Sequence, residues 1–102
     1  MLHLLRLPEY HDLLTRYESM ALALENPGLV GAFQGRIGFC VWSFGDFDRA
    51  IPILTQAAQT CEAAGNAEDA GQAYCHLLWS HLYKANYEQV FVARDNFIRM
   101  IE

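Results

Sequence analysis

The sequence is poor in charge, and poorest in positive charge. Charged residues make up 19% of the 102, and seven Lys and Arg face twelve Asp and Glu, for a formal net charge of −5. No stretch gathers basic side chains as a phosphate-binding face requires, so nucleic acid is not an expected partner. No apolar run approaches the roughly 18 residues of a membrane span, so no membrane association is expected. The opening Met-Leu-His-Leu-Leu-Arg-Leu-Pro is apolar for only a few residues and lacks the longer hydrophobic core and small-residue cleavage site of a secretory signal. Cysteine is sparse and odd in number. Cys40, Cys61 and Cys75 have no disulfide-framework spacing, which points to a cytoplasmic, reducing compartment and to three unpaired, unreactive thiols.

What the chain has in excess is apolar surface. Hydrophobic residues are 53% of it, above the 45–50% or so of ordinary domains, which argues against disorder. At this length one domain, spanning 1–102, is expected. An internal echo sets its organisation. Gly45-Asp46-Phe47-Asp48-Arg49-Ala50 and Ala85-Asn86-Tyr87-Glu88-Gln89-Val90 match position by position in residue type, forty positions apart. Each block reads as a turn, an Asx cap, an aromatic and a first-turn acid, the signals that open a helix. From Phe47 onward Ala50, Ile51, Leu54, Ala57, Ala58 and Cys61 recur at spacings of three and four, the period of one helix face. The same reasoning places five helices near 8–25, 28–44, 47–64, 67–84 and 87–101, with no strand. Pro52 falls in the second turn of the third, a difficulty that a later helix start would remove. Short connections make neighbouring helices antiparallel.

These residues resemble the tetratricopeptide repeat, whose hairpins carry an aromatic, Leu-Gly and Tyr in the first helix and Ala then Phe in the second. In the repeat over 27–66, Ile37-Gly38 stand for Leu-Gly, Ala50 for Ala, Leu54 for Phe and Ala57 for the next small residue. A more degenerate repeat covers 67–102, with Tyr74 as the aromatic and Leu77-Leu78 in place of Leu-Gly. Residues 1–26 look like half of a preceding repeat. The forty-residue spacing and the corner Ala64-Gly65-Asn66-Ala67 are similar to a long-period variant found in bacterial signalling ATPases and transcriptional regulators. The resemblance implies an all-α, right-handed superhelix of antiparallel helix-turn-helix repeats. It also implies a concave groove lined by the first helix of each hairpin, at Phe39, Trp42 and Ser43 in one repeat and Cys75, Trp79, Leu82 and Tyr83 in the next.

The same residues offer little to other chemistries. Cys75-His76 with His81 comes nearest to a metal set, but five residues along a helix turn His76 and His81 about 140° apart, so no metal is expected. Packing is the ordinary role for Cys75 and His81, and solvent for His76. A Cys–His nucleophile lacks an orienting third group, and Gly28, Gly31, Gly35 and Gly38 follow no strand and precede no Lys-Ser/Thr. No cofactor and no catalysis are expected. The expected function is a protein-interaction module that takes an apolar or amphipathic segment of a protein or peptide partner in the aromatic groove. The alternative is a self-associating structural or regulatory fragment of a larger signalling protein, and a remote one a small metal protein or enzyme. The last helix, with Val90, Phe91, Val92, Phe97, Ile98, Met100 and Ile101, is apolar around too much of its circumference for one seam, and Leu2, Leu4, Leu5 and Leu7 precede the first. A homodimer burying one or both is therefore expected.

Overall fold

Three corners of one design set the architecture in the computed structural model, which describes Asp12, Arg16 and residues 26–102. Gly45 and Gly65 take φ of +81° and +78°, and Ala85 takes +59°. At each corner the left-handed residue donates its N–H to the carbonyl three back: Gly45 to Trp42 at 2.9 Å, Gly65 to Glu62 at 3.1 Å, Ala85 to Leu82 at 3.0 Å. The next N–H reaches five back: Asp46 to Val41 at 3.3 Å, Asn66 to Cys61 at 2.8 Å, Asn86 to His81 at 2.8 Å. This paired pattern is the Schellman closure of a helix. The same Asp or Asn stands at the N-cap of the next helix, and at Asp46 and Asn66, though not at Asn86, its side chain makes the cap hydrogen bond. Asp46 Oδ1 accepts from Arg49 N at 3.3 Å, and Asn66 Oδ1 from Asp69 N at 3.3 Å while its Nδ2 donates to Asp69 Oδ2 at 2.7 Å. Ala85 is the one corner residue with a Cβ, and αL backbone costs such a residue about 1 kcal/mol or more. Ala85→Gly is accordingly expected to raise stability by about 1 kcal/mol in urea titrations, whereas an unchanged midpoint would show that the corner relaxes without strain.

Between the corners run α1 (Pro27–Ser43), α2 (Phe47–Ala63), α3 (Ala67–Tyr83) and α4 (Tyr87–Ile101). Each lies within one residue of its expected span, and no strand occurs among the described residues. The expected helix near 8–25, and with it the half repeat 1–26, lies outside the described residues. Asn26 opens α1 by accepting from Leu29 N at 3.1 Å, with Pro27 in the first turn where its missing N–H costs nothing. Pro52 lies in the second turn of α2, where the sequence places it. The helix around it starts at Phe47, not later, so Pro52 sits inside α2 and removes one hydrogen bond from the ladder. Its position on the exposed side leaves the freed carbonyl of Asp48 at the surface, where water can satisfy it.

The helices stack as hairpins. α1 packs on α2, α2 on α3 and α3 on α4, and α1 also lies against α3, while α4 packs its backbone on α3 alone. Close approach within the first hairpin depends on glycine. A Cβ on Gly38 would stand 2.7 Å from Leu54 Cδ2, and one on Gly31 2.5 Å from Cys61 Sγ. The core fills the space between α2 and its neighbours with small side chains around one large one: Ala50, Leu54, Ala57 and Ala58 are wholly buried, next to Ala70, Ala73, Tyr74 and Leu77 of α3. Ile37 and Gly38 are buried on α1. One polar network crosses the stack at its edge. Tyr74 Oη donates to Glu62 Oε1 at 2.7 Å, and Arg99 grips the same carboxylate with both terminal nitrogens, Nη2 at 3.1 Å. Arg99 first, then the Tyr74 hydroxyl, holds the Glu62 carboxyl below the usual carboxylate range.

Candidate functional site

The layer formed by α1 and α3 presents a cleft of about 400 Å³, with Ala32, Gly35, Arg36 and Phe39 on one wall and Asp69, Gln72, Ala73 and His76 on the other. Its breadth follows from the residues at its floor. Gly35 and Ala73 have little or no side chain, so the space between the two helices stays open. Arg36 and Asp69 put opposite charges on opposite walls.

Aromatic rings continue from the end of this cleft along the stack. Phe39 and Trp42 lie stacked at 5.7 Å between centroids, and the His76 ring meets both edge-on at 5.0 Å. Further on, Trp79 lies 6.5 Å from Tyr83, and Tyr83 stacks on Phe47 at 5.0 Å and 10° between planes. Offset and edge-to-face contacts of this kind contribute about 0.5–1.5 kcal/mol each beyond area burial. Much of the ring surface remains open: Phe39 is 37% exposed, Trp79 45% and Tyr83 66%.

Of the residues expected in the groove, Phe39, Trp42, Trp79 and Tyr83 join this row. Ser43 does not offer its hydroxyl, which donates to the Phe39 carbonyl at 2.9 Å within its own helix. Cys75, half-buried, and Leu82, 40% exposed, take part in neither the ring contacts nor the lining of the cleft. His76 corrects the sequence reading, since it is not a solvent-facing residue but the link between the rings of α1 and α3. The signal for it was present: seven residues separate His76 from Tyr83, two full helical turns on one face. Burial pushes its imidazole below the ordinary histidine pKa, so the ring is neutral near pH 7. Its Nδ1 lies 2.8 Å from the Gln72 carbonyl, which requires the proton on Nδ1 and leaves Nε2 as an acceptor. Phe47, the aromatic that opens its helix, meets Tyr83 across the hairpins.

Among the described residues no group of three or more His, Cys, Asp or Glu is placed to hold a metal ion. Cys40, Cys61 and Cys75 are all free, and burial raises the thiol pKa of the first two. His81, read as packed in the interior, is half-buried near the α3–α4 corner, with Nδ1 3.5 Å from Asn86 Nδ2. Among the described residues no helix is long and apolar enough to cross a membrane. Comparison of the chain with protein-family models, curated proteins and solved structures gave no match.

Proposed function

We propose that the chain is a tetratricopeptide-like interaction module, without enzymatic activity, that holds an apolar or amphipathic segment of a protein partner along the α1–α3 layer. The observation that carries this reading is the open row of rings, Phe39, Trp79 and Tyr83, running out of a cleft whose floor is glycine and alanine. Exposed aromatic surface beside a preformed concavity is what a partner side chain fills with least ordering cost. The superhelical hand and the cytoplasmic setting belong to the same proposal, the latter supported by the three free thiols. A charge clamp for a peptide carboxylate is a poor fit, because Arg36 is the one cation at the cleft and Asp69 faces it.

Selection from a displayed library of helical and extended peptides tests the idea. Binders are expected to carry apolar or aromatic residues at helical or alternate spacing. Trp79→Ala should weaken them by about 1–2 kcal/mol, as loss of an interface aromatic commonly does. Gly35→Leu, at a residue that lines the cleft, should weaken them by taking up its space, and a Cβ there meets nothing nearer than Ala57 Cβ at 3.9 Å. Binders indifferent to both substitutions, or no binders at all, would refute the site.

A further inference from the structure

The 40-residue repeat says what one surface of the stack is built to receive. α3 lies in a cradle made largely by α2: Phe47 stacks on Tyr83, and Ile51, Leu54, Ala58 and Cys61 share one core with Ala70, Ala73, Tyr74 and Leu77. Forty positions on, α4 repeats this stripe as Tyr87, Phe91, Arg94, Ile98 and Ile101, spaced four, three, four and three along one face. There no helix among the described residues covers it. Tyr87 is 61% exposed, Phe91 55%, Ile98 41% and Ile101 67%, where their α2 counterparts are half or wholly buried.

The charges flanking the two stripes correspond as well. In the filled cradle Asp48, at the start of α2, pairs with Lys84, at the end of α3. Glu62, at the other end of α2, receives the Tyr74 hydroxyl from the first half of α3. Their counterparts are Glu88 and Glu102, both exposed, and Asp95 lies between them on the same flank. Arg94 replaces Leu54, but it folds back onto Asp95, donating Nε at 3.1 Å and Nη2 at 3.0 Å, and covers the Phe91 ring at 5.0 Å. The two ends of the stripe are thus left acidic.

We infer that this face of α4 docks an amphipathic partner helix with a basic C-terminal end, antiparallel to α4 and in the register that α3 holds on α2. A cation at that end meets Glu88 and also suits the negative end of the partner's own helix dipole, while Glu102 meets its positive N-terminal end. A second copy of this chain fits less well. α1 and α2 have no basic residue in the last turn, Lys84 is held by Asp48, and Arg99 by Glu62. Pairing α4 with itself antiparallel sets Glu88, Asp95 and Glu102 against their own copies, and like charges repel. The homodimer expected from the sequence therefore competes with this partner for one surface.

Two synthetic 18-residue helical peptides, alike except for Lys-Arg or Glu-Glu in the last turn, test the inference by calorimetric titration onto the intact chain. The basic peptide is expected to bind about five- to tenfold more tightly at low salt, the range of an exposed ion pair exchanged for a repulsion, with the preference shrinking at 0.5 M salt. Glu88→Lys should reverse the preference without loss of helical circular dichroism, and Ile98→Glu should abolish both interactions. Gly35→Leu, at the α1–α3 cleft, should leave them intact and so separates this surface from that one. Equal affinities, a preference untouched by Glu88→Lys, or a peptide-resistant dimer that protects Phe91 would each overturn the proposal.

Discussion

Gly31→Ala is expected to destabilise the fold by about 2 kcal/mol while Gly35→Ala, one turn further along the same helix, stabilises it by about 0.5–1 kcal/mol. By helix propensity alone both changes should help, since Gly costs a helix about 1 kcal/mol relative to Ala. Surroundings decide the sign. At position 31 a Cβ would lie 2.5 Å from Cys61 Sγ and 3.0 Å from the Cys61 backbone nitrogen. A thiol can rotate away but a backbone atom cannot, so α1 and α2 must separate and loosen the small-residue seam between them. At position 35 the new methyl meets only Ala57 Cβ, at an ordinary 3.9 Å. Urea denaturation of the two variants beside the parent measures both signs. A domain of this size has about 5–15 kcal/mol in hand, so a 2 kcal/mol loss moves the midpoint visibly. If both variants gain stability, the hairpin crossing is looser than described.

Leu54→Ala is expected to cost about 2–5 kcal/mol, because Leu54 is the largest wholly buried side chain and its loss leaves a void that a neighbouring ring of alanines cannot fill. The more decisive measurement is the pair. A Cβ on Gly38 would collide with Leu54 Cδ2 at 2.7 Å and Cγ at 2.8 Å, atoms that Leu54→Ala removes. Gly38→Ala alone should therefore destabilise. Added to Leu54→Ala it should cost little or give some stability back, for a coupling of about 1 kcal/mol or more in the favourable direction. Strict additivity in that cycle would mean that the two positions do not meet across the hairpin. The neighbouring Ile53 Cγ2, at 3.2 Å from the same Cβ, limits how far the double variant recovers.

Helix positions were legible because their signals are local. Asp46, Asn66 and Asn86 stand at N-cap positions where an Asx residue after a small residue says they should, the first two with the side-chain cap bond, and the described helices begin and end within one residue of expectation. The burial of Ala50, Leu54 and Ala57 was likewise implicit in a three-and-four spacing, and that of Ile37 and Leu77 in what the repeat resemblance implies. The cleft was harder to read, because it depends on how two helices forty residues apart are rotated toward each other, and no periodicity within either one fixes that angle. His76 and Cys75 differ by one position and hence by 100° on α3, which is enough to exchange a place among the rings for one outside them. Pro52 keeps its place in the second turn for a different reason. A proline deep in a helix is costly only if the carbonyl it strands is buried, and exposure of that turn is a tertiary property.

The way α4 is attached has a thermodynamic consequence. Its backbone touches α3 only, and it reaches α2 through side chains such as Arg99 on Glu62. A stack joined neighbour to neighbour behaves as a short one-dimensional chain of coupled units, in which an end unit has one coupling to lose and an inner unit has two. Opening of α4 therefore leaves the contacts of α1, α2 and α3 in place, and its amides exchange with solvent by a partial opening that the amides of α2 do not share. Denaturation of such a chain spreads over several states, and a single unfolding free energy averages over units of unequal stability. Anything that covers the outer face of α4 supplies its missing second coupling and makes the transition sharper.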